Sequence, residues 1–247
     1  MRVEDLRAAL KSRYYTVTYV NETDSTNSAL RRAADAGAPF GSVLVASRQT
    51  AGRGRTGRSF FSPADTGVYL SVLLPPATDP ARLTVTAAVA AKSALRRIFG
   101  VTVQVKWVND LYLSGKKVAG ILAECGEDPT GRRYAVLGLG VNLLPPRDGF
   151  PADLADKAGA VATFLPPAGA ERFCAAFLEE VEACGEWDEI LKEYTADFFL
   201  SGKDVLVPGR FSAPVRVLGV DENARLRVRL ADGTETVLGS GEVIDIR

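Results

Sequence analysis

Histidine does not occur in this chain of 247 residues. Its absence removes Ser-His and Cys-His nucleophilic machinery and every zinc site that needs an imidazole. Cysteine is scarce. Cys125, Cys174 and Cys184 lack C-x-x-C spacing and leave an odd number, so neither a disulfide framework nor a metal cluster is expected. Free thiols suit a reducing compartment, and a cytoplasmic location is expected. A surplus of charge is missing too, since Lys plus Arg and Asp plus Glu number 30 each. Phosphate-backbone contacts need a basic surplus, so a general nucleic-acid partner is not expected. Met1 to Leu10 carries charges, and no apolar run has the length of a signal peptide or membrane span. No membrane partner is expected either. What remains is ordinary for a soluble globular protein: 47% hydrophobic and 24% charged residues.

Against that neutral background, Gln49 to Pro63 stands out: QTAGRGRTGRSFFSP. Gly52, Gly54 and Gly57 interleave with Arg53, Arg55 and Arg58, and no acidic residue occurs from Gly41 to Pro63. Glycine permits positive φ and close backbone approach, so such a loop can turn its N–H groups toward an anion. Arginine adds permanently charged planar forks that suit phosphate or carboxylate oxygens. The glycines satisfy G-x-G-x-x-G, but Phe60, Phe61, Ser62 and Pro63 follow and argue against a helix start, so a dinucleotide fingerprint is not indicated. The pattern predicts a local anion site, with a solvated basic hairpin as the plainer alternative.

The rest of the chain reads as an α+β protein. Tyr14 to Val20, Val43 to Ser47 and Gly67 to Leu74 have strand composition. Asp24 to Thr26 supply cap-type residues before a short helix that stops at Gly37, and Thr84 to Phe99 is an Ala-rich helix ending at Gly100. Val101, Val103, Val105 and Trp107 alternate with polar residues, which places Lys106 on the polar face. Leu111 to Leu113 and Lys117 to Glu124 form a predicted hairpin around Ser114-Gly115, with Lys117 sharing a face with Ala119, Ile121 and Ala123. Tyr134 to Val141 is a further strand, Pro145 to Pro167 a loop, and Ala170 to about Leu200 helical with a break near Gly185. Five short strands then follow, which predicts a small SH3-like barrel. The expected organisation is a mixed β-sheet with helices over residues 1–200 and the barrel over 201–247.

Five segments besides the arginine loop sharpen this reading. They are Asp24-Ser25-Thr26-Asn27, Lys106-Trp107-Val108-Asn109-Asp110, Lys117 to Glu124 (KVAGILAE), Gly138-Leu139-Gly140-Val141-Asn142, and Gly241-Glu242-Val243. Their kind and order resemble biotin–protein ligases, from about Thr23 to the end of the chain. The resemblance implies a class II synthetase-like catalytic domain that adenylates biotin with ATP and Mg²⁺, without a redox cofactor. Biotin would then pass to a lysine of a biotin carboxyl carrier protein. It implies biotin contacts from Ser25, Thr26, Asn27, Gln49, Gly52, Arg53, Lys117 and Gly120. For ATP and the adenylate it implies Arg53, Arg55, Arg58, Phe60, Lys106, Asn109 and Asn142, with Lys117, Arg55 and Lys106 as the catalytic cations. Asp110 would hold Mg²⁺, and Glu242 would join the barrel to the site.

Taken alone, Ser25 and Thr26 could equally be helix caps, Asn109-Asp110 a turn, and Arg58 one half of a surface ion pair. Three positions depart from the family pattern: Thr56 where arginine is frequent, Phe60 in place of tryptophan, and Val108 in place of proline. The Asp24 motif begins too early for a preceding helix-turn-helix, so a ligase without that regulator is expected, as a monomer or homodimer. Lipoate and octanoate ligases share the fold; the glycine-arginine loop favours biotin.

Overall fold

The fold is known from a computed structural model that describes residues 1–77 and 79–246. Its centre is a seven-stranded sheet made of β1 (Thr16–Thr23), β2 (Ser42–Gln49), β3 (Gly67–Leu74), β4 (Gln104–Lys106), β5 (Asp110–Leu113), β6 (Lys116–Glu127) and β7 (Arg133–Asn142). The order is β1-β2-β3-β7-β6-β5-β4. Only β1 and β2 run parallel; the other neighbours are antiparallel.

The two faces of this sheet are treated differently, and that difference makes the site. Odd positions of β6 and β7 (Ala119, Ile121, Leu137, Leu139, Val141) point into the main core with α3 (Pro80–Phe99) and α4 (Gly169–Glu182). Asp79 caps α3 by accepting from the Ala81 N–H at 2.8 Å, with Pro80 opening the helix, so it begins one turn before the Ala-rich run suggests. The opposite face is covered only in part, by α2 (Thr26–Asp35), whose Leu30 and Ala34 pack on Leu73, Tyr134 and Val136. Beyond α2 the same face carries Gly120, Gly138 and Gly140, which have no side chains to fill it. The uncovered stretch is a floor.

A short first helix, α1 (Val3–Ala9), was not foreseen; its one buried side chain, Leu6, joins the main core. α5 (Trp187–Ala196) follows α4 where a break near Gly185 was expected. Lys92, nearly buried on α3, donates to the Glu193 carbonyl and pairs with Asp197, both at 2.7 Å. Asp197 in turn accepts from the Val105 N–H at 2.8 Å, so this lysine ties α3 to the strand that carries Lys106.

The last strands, β8 (Asp204–Leu206), β9 (Val215–Val220), β10 (Leu226–Arg229), β11 (Glu235–Leu238) and β12 (Ile244–Asp245), form a five-stranded antiparallel sheet in the order β11-β10-β9-β8-β12. The five short strands expected after residue 200 are all present, and among the described residues no pairing joins β11 to β12. Both tryptophans of the chain reach it. Trp107 Nε1 donates to the Ala224 carbonyl at 2.8 Å and Trp187 Nε1 to the Glu222 carbonyl at 2.7 Å, gripping the β9–β10 turn. No helix among the described residues is long and apolar enough to cross a membrane.

Replacing Lys92 by alanine strips a carbonyl and a carboxylate of their shared donor. We expect a loss of about 1–3 kcal/mol, read as a lower urea midpoint with an unchanged slope.

Candidate active site

One cavity of about 130 Å³ opens on the glycine floor. Its wall draws on the start of α2, the arginine loop, the β4–β5 corner, β6, β7 and the segment Gly241–Val243. Of the residues singled out by sequence, Ser25, Thr26, Asn27, Gln49, Arg53, Arg55, Arg58, Phe60, Lys106, Asn109, Asp110, Lys117 and Gly120 all line it. Two do not. Gly52 lies behind the wall, where a Cβ would stand 2.4 Å from the Phe60 carbonyl, so only glycine lets the two arms of the loop close. Asn142 spends its amide on the Gly159 carbonyl at 3.0 Å and is outside the cavity.

The arginine loop is a tight hairpin. Phe60 N–H donates to the Gly52 carbonyl and Gly54 N–H to the Arg58 carbonyl, at 2.8 and 2.7 Å. Thr56 and Gly57 both have positive φ at the tip. The expectation that the loop amides face an anion is therefore corrected: several are consumed within the hairpin, and side chains supply the positive charge. Nor is that charge unopposed, because acidic partners arrive from distant strands. Arg53 makes a two-pronged pair with Glu124 at 2.8 and 3.0 Å. Arg58 pairs with Glu242 from the C-terminal sheet. Arg55 reaches Asn109 Oδ1 at 3.3 Å and lies 6.0 Å from the Trp107 ring.

Lys117 requires a second correction. Simple alternation puts it with Ala119, Ile121 and Ala123 on the core face. However, Leu111 pairs with Ala119 while Tyr112 pairs with Lys117, leaving Val118 as an extra residue on β6. This bulge shifts the alternation by one, buries Val118 and turns Lys117 to the side of Gly120. A Cβ at Gly120 would lie 3.2 Å from Lys117 Nζ. The Lys117 ammonium sits 2.6 Å from Asp110 Oδ1 and 5.8 Å from the Phe60 ring. That carboxylate oxygen is buried and accepts no aligned hydrogen bond, so the contact with Lys117 is one of charge.

Lys106, Arg55 and Lys117 thus converge on one carboxylate, Asp110. Burial pulls the pKa of Lys106 below the ordinary lysine range; the charge of Asp110 opposes that shift and Lys117 adds to it. Burial likewise lowers Arg55, again opposed by Asp110. The other half of the cavity is neutral. Gln49 Oε1 accepts from the Thr26 N–H at 2.9 Å, and Gln49 Nε2 donates to Ser62 at 2.8 Å. Ser25 caps α2 through a long 3.5 Å contact with the Ser28 N–H while also lining the cavity, so capping and exposure to a ligand coexist. Asp110 and Asn109 could share a cation that brings its own oxygen ligands, but no group of three or more acidic or thiol side chains forms a protein-only metal site among the described residues.

Phe60 lies across the floor. Cβ atoms at Gly120 and Gly140, which face each other in the β6–β7 ladder, would meet its ring at 3.2 and 2.6 Å. Sequence reasoning missed Ser71 and the carboxylate of Glu124, both inside the wall of hydrogen bonds. Their signal was a polar residue among apolar ones in β3, and an acid on the face opposite the core in β6.

The Biotin/lipoate A/B protein ligase family profile matches residues 19–142, half of the chain. The biotin--[acetyl-CoA-carboxylase] ligase of Mycobacterium tuberculosis is 30% identical over 248 residues, covering 92% of this chain and 88% of that protein. The chain belongs to the biotin/lipoate protein ligase family. The bifunctional ligase/repressor BirA of Bacillus spizizenii is 31% identical over 220 residues, 87% of this chain, and the match spans 63% of the relative's length. The biotin protein ligase of Aquifex aeolicus, solved in complex with biotin and ATP, has the same fold: TM-score 0.78 at 24% identity, covering 94% of this chain and 99% of that one. The matched stretch includes β6 and β7, whose Gly120, Gly138 and Gly140 make the floor described above.

At Gly138 a Cβ would stand 2.0 Å from Asn27 Oδ1, an atom held by a buried hydrogen bond from Ser71; at Gly140 its nearest contacts would be atoms of the Phe60 ring. Gly138→Ala is expected to cost about 1–3 kcal/mol, and Gly140→Ala clearly less, in parallel denaturant titrations.

Proposed function

We propose that this chain is an ATP-dependent biotin–protein ligase. The observation that carries the reading is a single cavity with a neutral, hydrogen-bonding half (Thr26, Gln49) and a cationic half (Arg55, Lys106, Lys117), joined by a side-chain-free floor. An uncharged ureido ring fits the first half, and a carboxylate next to a triphosphate fits the second. The fold relationship to a biotin- and ATP-bound ligase and the identity to a named biotin ligase support it.

In the first step a biotin carboxylate oxygen attacks the α-phosphorus, forming the acyl–phosphate bond as the bond to pyrophosphate breaks. Lys117 reduces repulsion between the carboxylate and the phosphates, and Arg55 and Lys106 stabilise charge on the α-phosphate as it is displaced. Asp110, with Asn109, would hold Mg²⁺ carried in by the triphosphate, and the ion would supply further neutralisation there. In the second step the amine of a lysine on a biotin carboxyl carrier protein attacks the acyl carbon. An amide forms, AMP leaves and the amine loses a proton. No enzyme nucleophile or redox group takes part, which agrees with a chain that has no histidine. The biotin head rests against Ser25, Thr26, Asn27 and Gln49, and Phe60 must leave the floor to admit it, since about 130 Å³ is less than the roughly 300–1,000 Å³ of typical ligand sites.

Biotin-dependent ATP–pyrophosphate exchange, run beside lipoate and octanoate, tests the reading. Exchange with biotin alone is expected; exchange with lipoate or octanoate in its place would move the chain to the sister ligases. Lys117→Ala should lower the exchange rate by about 100-fold or more while biotin still binds.

Lys106 adds a pH test. Its lowered pKa means the useful ammonium is lost as pH rises, sooner than for an ordinary lysine. The rate constant at low substrate should fall along an alkaline limb that begins below the usual lysine range. Lys106→Arg, which keeps its proton, should move that limb upward. An unchanged limb in the arginine variant would remove Lys106 from the chemistry.

A further inference from the structure

Behind the neutral half of the cavity, buried side chains form one continuous run of hydrogen bonds from Glu124 to Thr26. Ser71 is fully buried, and Asn27 and Thr26 are nearly so. Asn27 Nδ2 lies 3.0 Å from Glu124 Oε2 and 3.2 Å from the Leu122 carbonyl. Ser71 Oγ lies 2.6 Å from Asn27 Oδ1 and 2.7 Å from Thr26 Oγ1. Thr26 Oγ1 is also 3.2 Å from Gln49 Oε1.

The direction of this run follows from counting protons. A carboxylate and a backbone carbonyl only accept, so the Asn27 NH₂ must face them and its oxygen must face Ser71. That oxygen only accepts, so the single Ser71 proton goes to Asn27. The 2.7 Å contact between the Ser71 and Thr26 oxygens then needs a proton, and only Thr26 has one left to give. With its proton spent inside the wall, on Ser71 or on the Gln49 Oε1 that lies 3.2 Å away, Thr26 can present only lone pairs to the cavity that it lines. Gln49 Oε1 remains satisfied by the Thr26 N–H.

We propose that Glu124 and Ser71 are positioning residues that fix the Thr26 hydroxyl as a hydrogen-bond acceptor, and so select a ring that offers an N–H donor. The idea rests on the biotin reading, because the ureido head of biotin carries such donors and a dithiolane ring carries none. Glu124 also holds Arg53, so the carboxylate that sets the polarity of the neutral half anchors the arginine loop as well.

Ser71→Thr and Ser71→Val add the same bulk and differ by the hydroxyl alone. Biotin binding by calorimetry should be about tenfold weaker in S71V than in S71T, in line with the loss of one buried hydrogen bond. Glu124→Gln can donate as well as accept, so it frees the polarity of the run. Combined with S71V it should add little further loss, because residues acting as one network are not independent. If both bulky variants misfold, Ser71→Ala against wild type replaces the pair. Equal biotin affinity in S71T and S71V, or fully multiplicative losses in the double variant, would overturn the proposal. Should wild-type protein bind no biotin, the ligase reading itself falls. The same double-variant cycle, followed by thermal unfolding without ligand, then judges the run alone: coupled losses keep it and additive losses end it.

Discussion

Three cations gathered around one carboxylate, with one of them in contact with it, set the terms for the rest of this site. Arg55, Lys106 and Lys117 approach Asp110 from the arginine loop, the β4 edge and β6. Burial makes the charges of Arg55 and Lys106 costly, and like charges on one wall repel. Asp110 offsets both effects while the site holds nothing else. An anionic substrate with several phosphate oxygens could take over that duty, and it would gain most where the positive charges are already gathered and partly dried. The same economy appears at the loop, where Glu124 and Glu242 occupy Arg53 and Arg58. Positive charge is stored in ion pairs rather than left open to water.

Much of the architecture was legible because local rules govern it. Ser25 before α2, Gly100 after α3 and Ser114-Gly115 between β5 and β6 ended or turned the chain where their chemistry says they should. Most residues of the cavity wall were legible for a different reason: charged and glycine-rich segments had no use in an apolar core. What escaped was non-local. Arg53 finds Glu124 across 71 positions of sequence, and no local pattern announces that pairing. The extra Val118 in β6 reversed the face expected for Lys117, since strict alternation cannot register a bulge. α1 was missed because a seven-residue helix with one buried leucine has almost no periodic signal.

The floor shows how backbone spacing and function meet. Gly120 and Gly140 are register partners, and Gly138 sits two residues along the same face of β7. Sheets lose packing where glycine replaces a side chain. Here the loss is local, since the opposite face of both strands is filled by Ala119, Ile121, Leu139 and Val141 within the main core. The sheet can therefore be bare on one side and still be firmly held from the other.

The two tryptophans have a consequence outside chemistry. Both indole N–H groups end on carbonyls of a single turn in the C-terminal sheet, and Arg82 lies 4.6 Å from the centre of the Trp187 ring. One of the two, Trp107, also forms part of the cavity wall. With no other indole in the chain, its tryptophan emission comes from the seam between the two sheets. The protein carries its own optical gauge of how tightly that seam is shut, with one emitter in the wall of the candidate cavity.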